Sequence, residues 1–146
     1  MIQDKLQDYK IILGSGSPRR KELLTALGLS FEVKKSNVEE TFPKHLTGAE
    51  IPEYLVKVKA LSFNPPADNE VIITGDTIVC YENRILEKPK DKAEAERMLK
   101  SLSGRQHQVI SSYCIYHQSD FEVVSDQTDV HFKELTDEEI DYYVNH

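Results

Sequence analysis

The sequence is 146 residues long, its apolar share is 39%, and its formal net charge is −7. This length suits one domain, and the longest apolar runs fall far below the roughly 20 residues of a membrane-spanning helix, so no membrane partner is expected. Residues 120–146 hold nine acids and one base, which leaves the rest near charge balance and argues against a general nucleic-acid-binding surface.

The N-terminal part of the chain predicts a strand, a loop and a helix, in that order. The opening residues MIQDK lack the basic and apolar regions of a signal peptide, so a cytoplasmic protein is expected. The apolar run 10–13 predicts a strand that ends at the small-residue loop 14–17. Ser17 suits the N-cap of the following helix, Pro18 its first turn, and Gly28 its end.

The middle of the chain predicts a strand at the centre of a sheet. Residues 30–34 alternate apolar and polar side chains like a strand, and a helix is expected from about Ile51 to Phe63. Residues 71–80 are apolar on both alternating faces, which is typical of a strand covered on both sides. Cys80 and Cys114 lie inside apolar runs without CxxC spacing, so they are predicted to be buried thiols.

The C-terminal part predicts a helix, a hairpin and a last helix. A short strand is expected at residues 85–86, and Asp91 with Glu94 forms a capping-box pattern that opens a helix. Residues 108–117 and 121–132 read as the two strands of a hairpin. A second capping-box pattern at residues 136–139 starts the last helix, with Ile140, Tyr143 and Val144 on one face. The order of elements is mixed α/β, with parallel pairing early in the chain.

The loop at residues 14–17 is the first candidate for chemistry. Small residues leave backbone N–H groups free at a helix N-terminus, where the helix dipole favours anions. Arg19 and Arg20 follow in the first turn, and their guanidinium groups match phosphate oxygens. The alternative is an ordinary capped turn with solvated arginines, although arginines at a helix N-terminus oppose the dipole.

Asp76 is the second candidate, because no other residue between Val71 and Cys80 is ionisable. A carboxylate in such a strand is costly to bury without hydrogen bonds, a cation or a metal, and perturbed carboxylates cluster at active sites. In the alternative reading, Gly75 and Asp76 form a turn that splits two strands, and Thr77 fits either reading.

Several other polar residues carry little information when they are taken one at a time. Glu39, Glu40, Lys59 and Lys88 are each, taken singly, best read as solvated surface residues. The histidines show no metal-ligand spacing and are read as surface or hairpin residues: His45, His107, His117, His131 and His146. Five tyrosines are read as core or half-buried: Tyr54, Tyr113, Tyr116, Tyr142 and Tyr143.

Taken together, the motifs resemble, in order and spacing, the Maf family of nucleoside triphosphate pyrophosphatases. The resemblance covers residues 10–146 and rests on six short motifs: SGSPRR at 15–20, EE at 39–40, KA at 59–60, GDT at 75–77, EKP at 87–89 and LSGR at 102–105, the last followed by His107 and Val109. It implies an α/β fold similar to inosine triphosphatase, with a mixed sheet, flanking helices and two lobes around a nucleotide cleft.

The resemblance also implies an activity and roles for single residues. The activity is hydrolysis of a nucleoside triphosphate to the monophosphate and pyrophosphate, which makes the protein a hydrolase acting on acid anhydrides. Substrate binding would fall to seven residues: Ser15, Arg19, Arg20, Glu40, Lys59, Thr77 and Lys88. Asp76 would be catalytic, as the proton acceptor or as the ligand of a divalent cation, Mg²⁺ or Mn²⁺.

Three positions resemble the branch of the family that acts on dTTP and UTP. These are Arg19, Thr77 and the EKP motif at 87–89, whereas the branch that acts on 7-methyl-GTP typically has GKP there. A homodimer is common in similar proteins. The alternative function is a truncated, catalytically impaired protein that binds nucleotide or a partner and is linked to septum formation and division control.

The end of the sequence is the main departure from the family pattern. Family members continue for about a quarter more chain, through a motif close to DKAGAYGIQ that lines the substrate cleft. No such motif follows His146 in this sequence. The expectation is therefore a single Maf-like domain over residues 1–146 that lacks the usual C-terminal segment.

Overall fold

The fold is described from a computed structural model of the chain, which covers residues 2–82, 84–86 and 88–146. Its elements in chain order are α1 (Ile2–Leu6), β1 (Lys10–Leu13), α2 (Pro18–Ala26), β2 (Phe31–Val33), α3 (Glu50–Leu61), β3 (Glu70–Tyr81), β4 (Arg84–Leu86), α4 (Lys92–Leu102), β5 (Gln106–His117), β6 (Asp120–His131) and α5 (Asp137–Asn145). Within these residues, six strands form one sheet in the order β2-β1-β3-β5-β6, with β4 paired to β3 outside this path. The mixed α/β class that the sequence predicts is confirmed.

Strand β3 lies at the centre of this sheet, as its apolar pattern predicts. It runs without a break through Gly75 and Asp76, which rules out a turn at these two residues. Strand β1 pairs in parallel with β2 and with β3, so that Ile11 lies beside Phe31 on one side and Val71 on the other. The end of β1 at Leu13 therefore lies beside Ile73, two residues before Gly75 of β3.

The chain divides into two compact units, the first formed by residues 1–76 and 111–125. Its core packs helix α3 against the central strands, and buries Ile12, Val56, Ala60, Ile72, Cys114 and Tyr116. Val56, Ala60 and Cys114 are 0% exposed. Packing of this kind holds side chains in single rotamers, so polar groups attached to it are held in fixed positions.

The second unit comprises residues 77–110 and 126–146. Its helix α5 begins with a complete capping box, in which Thr136 accepts from the Glu139 N–H and the Glu139 carboxylate accepts from the Thr136 N–H. Helix α4 has half of the expected pattern. The Asp91 carboxylate accepts from the Glu94 N–H, but the Glu94 carboxylate accepts from Lys90 N–H instead of Asp91 N–H.

Burial in the second unit corrects two expectations. Tyr142 and Tyr143 are 66% and 72% exposed, because helix α5 packs through the buried Ile140 and the two tyrosines line an open groove. His107 is buried on strand β5, where its ring meets Phe132 edge-on and burial lowers its pKa. It is therefore a neutral core residue and not a surface histidine.

Three smaller differences concern the helices. No sequence pattern predicts helix α1. Helix α3 begins at Glu50 and ends at Leu61, slightly earlier at each end than expected. Helix α2 buries none of its residues, and Leu23 and Leu27 are each 47% exposed. The two cysteines are free and buried, as predicted.

In the part of the chain that the structure describes, no helix has the length and apolar character to cross a membrane.

Candidate active site

The small-residue loop between β1 and α2 is built around the buried hydroxyl of Ser15. The Ser15 side-chain oxygen accepts one hydrogen bond from the Ser17 N–H at 3.2 Å and another from Arg20 Nη1 at 2.9 Å. Ser17 occupies the N-cap position with extended backbone, but its side chain makes no capping hydrogen bond. The Ser17 side chain thus does not cap α2, and the anion-binding loop predicted for residues 14–17 is held by the contacts of Ser15 with Ser17 and Arg20.

Arg20 lies across the backbone of β3 at Gly75. A Cβ atom on residue 75 would lie 2.6 Å from Arg20 Nε and 3.0 Å from its Cδ, closer than such atoms normally approach. Glycine at this position thus leaves room for the guanidinium group beside Asp76. Arg19 lies on the same helical turn, where it is exposed.

Lys59, on helix α3, joins three separate segments of the chain. Its ammonium group donates to the Gly75 carbonyl and to Asp76 Oδ1, each at 3.1 Å. It also lies 2.9 Å from Glu40 Oε1, in the segment that follows β2. The Lys59 side chain is only 11% exposed, whereas that of Glu40 is 61% exposed. Taken singly, Lys59 and Glu40 are each expected to be solvated surface residues. Their ion pair shows that neither is isolated.

Asp76, the carboxylate that pairs with Lys59, is buried, at 7% exposure. Its Oδ1 bonds to Lys59, but its Oδ2 is buried and has no hydrogen-bond partner among the residues that the structure describes. Burial raises the pKa of Asp76, while the charge and hydrogen bond of Lys59 oppose that rise. A buried oxygen without a partner costs free energy, which is a common property of groups retained for chemistry.

The raised pKa of Asp76 predicts a pH dependence of stability. Between the ordinary value of 3.8 and the raised native value, the folded chain binds a proton that the unfolded chain has lost. The contribution of Asp76 to the free energy of unfolding should therefore be largest at low pH and should fall as pH rises through this window. Urea unfolding of the wild-type chain and Asp76→Asn at several pH values isolates this contribution as their difference. A difference that stays constant with pH would contradict the raised pKa.

The structure brings most of the sequence-predicted site residues together within the first unit. Those joined by contacts are Ser15, Arg20, Glu40, Lys59 and Asp76. Thr77 and Lys88 belong to the second unit, and both are exposed. Glu87, which belongs to the EKP motif, lies outside the described residues.

The sequence analysis assigns no site role to Gly75, which it names only as part of a motif, or to Thr74, which precedes it. Gly75 provides a carbonyl for Lys59 and a gap for Arg20, and Thr74 is a fully buried polar residue just before it. The available signal is local: two small residues, one of them a glycine, interrupt an otherwise apolar strand. Such a position often marks a close approach by another part of the chain.

Residues that could hold a metal ion were sought across the described ranges 2–82, 84–86 and 88–146. No group of three or more His, Cys, Asp and Glu side chains is arranged to bind one. Asp76 and Glu40 are the two carboxylates near Lys59. Mg²⁺ typically takes one or two carboxylates and completes its shell with water and substrate phosphates, so this pair fits an ion that arrives with a phosphorylated ligand.

Comparisons with known sequences point to one enzyme class. A relative from Flavobacterium johnsoniae is 43% identical over 145 residues, which are 99% of this chain and 75% of that protein. One from Porphyromonas gingivalis is 45% identical, over 97% of this chain and 73% of that protein. Both are named dTTP/UTP pyrophosphatase. This chain thus spans about three quarters of the length of these relatives.

Comparisons with solved structures support the fold. The Ham1 protein of Staphylococcus aureus matches 84% of this chain and 71% of its own with a TM-score of 0.53 and 16% identity. A HAM1 protein from Coxiella burnetii matches 84% of this chain and 72% of its own with a TM-score of 0.54 and 14% identity. The family model described as Maf-like protein matches residues 10–146. The chain therefore belongs to the Maf family.

Proposed function

We propose that this chain is a nucleoside triphosphate pyrophosphatase that hydrolyses dTTP and UTP to the monophosphate and pyrophosphate. The names of relatives that are 43% to 46% identical support this substrate class. The observation that carries the proposal is the buried Asp76 carboxylate, which is held by Lys59 on one oxygen and has no described partner on the other. It lies beside Arg20, which in turn bonds to Ser15 of the anion-binding loop.

The loop and its arginines are the proposed binding site for the phosphates. A nucleoside triphosphate carries about four negative charges, and attack on its α-phosphorus builds more charge on the oxygens. Arg20 and the remaining N–H groups at the start of α2 would bind such oxygens, and exposed Arg19 would add a second guanidinium group. Lys59 supplies a further positive charge next to Asp76.

Asp76 is the proposed catalytic residue. Its Oδ2 can accept a proton from the attacking water, and a pKa raised by burial brings this carboxylate closer to the range of an efficient general base. The same oxygen also fits a Mg²⁺ or Mn²⁺ ion, with Glu40 as a second carboxylate. Such an ion would neutralise charge on the phosphate oxygens when it is bound.

Other parts of the proposal rest on the family resemblance. Lys88 would add positive charge around the phosphates, and Thr77 would take part in binding the pyrimidine nucleotide. A cytoplasmic location, a homodimer and a single Maf-like domain over residues 1–146 are proposed on the same ground.

Incubation of the chain with dTTP, UTP or GTP and Mn²⁺ tests the proposed function. We expect release of pyrophosphate and monophosphate in equal amounts from dTTP and UTP, and slow release from GTP. Rapid GTP hydrolysis would contradict the pyrimidine preference. Binding of dTTP without release of pyrophosphate would instead favour the alternative of a nucleotide-binding protein.

A further inference from the structure

Thr74 is a fully buried polar residue that has no role in the reaction proposed above. It lies on strand β3 at 0% exposure, and its hydroxyl group donates to the Val56 carbonyl of helix α3 at 2.7 Å. Ser and Thr hydroxyl groups often bond to backbone groups a few residues away in their own segment. Here the bond crosses from the sheet to a helix, at the level of the candidate site.

The two ends of this hydrogen bond lie next to the two ends of the Lys59–Asp76 ion pair. Val56 precedes Lys59 by three residues, which is about one helical turn, so both lie on the same side of α3. Thr74 precedes Asp76 by two residues, so their side chains lie on the same face of β3. The bond from Thr74 therefore fixes α3 against β3 one step away from the 3.1 Å contact between Lys59 and Asp76.

The methyl group of Thr74 contacts a third element, the anion-binding loop. A Cβ atom on Gly14 would lie 3.0 Å from Thr74 Cγ2 and 2.7 Å from the Phe63 ring, so the loop backbone is packed closely between these two side chains. Gly14 directly precedes Ser15, which accepts the hydrogen bond from Arg20. The Thr74 side chain thus contacts both α3, which carries Lys59, and the loop that contains Ser15. Thr74 itself lies on β3, the strand that carries Asp76.

We propose that Thr74 is a positioning residue for the pyrophosphatase reaction. Its hydroxyl group sets the place of α3 on β3 and so holds Lys59 on Asp76 and on the Gly75 carbonyl, while its methyl group supports the loop that binds phosphate. This inference rests on the proposed function. Thr74 itself is buried beneath the site and is not placed to touch substrate.

Two substitutions separate the hydroxyl group from the methyl group. Thr74→Val keeps the shape and removes the hydroxyl group, and we expect kcat for dTTP to fall about 100-fold with little change in KM, as for a small displacement of catalytic groups. Thr74→Ser keeps the hydroxyl group and removes the methyl group, and we expect kcat to be nearly unchanged while KM rises. Retention of kcat in Thr74→Ser together with its loss in Thr74→Val is the expected result.

Ser112→Ala is the matched control for loss of a buried hydroxyl group. Ser112 is 0% exposed in the same unit, and its hydroxyl group pairs with that of Ser125 at 2.7 Å. We expect Ser112→Ala to lower thermal stability without lowering kcat. Equal loss of kcat in Thr74→Val and Ser112→Ala would show that Thr74 is only structural. Near-normal kcat in Thr74→Val would also overturn the inference.

A crystal structure of Thr74→Val keeps this test separate from the proposed function. If the wild-type chain releases no pyrophosphate, the proposed function is wrong, and the distance from Lys59 Nζ to Asp76 Oδ1 still tests the positioning role. We expect that distance to exceed the ion-pair range in Thr74→Val, from 3.1 Å in the wild type. An unchanged distance would overturn the inference. If Thr74→Val does not fold, Thr74→Ala removes both the hydroxyl group and the methyl group, and its comparison with Thr74→Ser isolates the effect of the hydroxyl group.

Discussion

Asp76→Asn should abolish measurable pyrophosphate release from dTTP, a loss in kcat of about 1,000-fold or more, while the chain remains folded. Asparagine has almost the same shape as aspartate and can still accept a hydrogen bond from Lys59 through its amide oxygen. It cannot take a proton from water, and it is a poor ligand for a divalent cation. The measurement is the steady-state rate of pyrophosphate release, with circular dichroism as the check that the fold is retained.

Asp68→Asn is the matched control for this substitution. Asp68 lies in the same unit shortly before β3, and it is exposed. The same change of charge there should leave kcat and KM unchanged. Near-normal turnover by Asp76→Asn would rule out Asp76 as the base or the metal ligand and would require another catalytic residue.

Lys59→Met should remove activity and also lower the free energy of unfolding by about 3 kcal/mol at neutral pH. Methionine fills the space of the lysine chain but has no donor for Asp76 or for the Gly75 carbonyl. The Asp76 carboxylate would then be buried without its cation, a large cost in free energy. Urea unfolding measures the loss of stability, and pyrophosphate release measures the loss of activity.

A double substitution separates the two effects of Lys59→Met. Lys59→Met combined with Asp76→Asn removes both charges, so we expect it to be more stable than Lys59→Met alone and still inactive. Lys57→Met, on the same helix at an exposed position, should change stability little. A double variant no more stable than Lys59→Met would contradict the strong pairing of Lys59 with Asp76.

Local sequence signals predict the elements that carry the site. Pro18 marks the start of α2, and the apolar pattern of residues 71–80 predicts a central strand. Both signals can be read from residues that are close together in the sequence. The lone carboxylate in that strand is itself informative, because burying Asp76 is costly unless a hydrogen bond, a cation or a metal compensates it. Both features are present in the structure, with Asp76 buried on β3.

Contacts between distant segments are harder to predict. Lys59 is separated from Asp76 by 17 residues, and its distances to Glu40 and to the Gly75 carbonyl depend on how α3 packs on the sheet. The same holds for Arg20, whose place over Gly75 follows from the parallel pairing of β1 with β3. The exposure of Tyr142 and Tyr143 is missed for a related reason, because helical spacing predicts a face but not what covers it.

The Lys59 ammonium group has one hydrogen for each of its three oxygen partners: the Gly75 carbonyl, Asp76 Oδ1 and Glu40 Oε1. A phosphate oxygen can therefore reach this ammonium group directly only by replacing one of them. The carbonyl is part of the sheet and Asp76 is buried, so the exposed Glu40 carboxylate is the partner that can leave. The site thus holds an internal counterion. If the phosphates of the nucleotide bind at Lys59 as proposed, their binding exchanges one anion for another, and its affinity includes the cost of releasing Glu40.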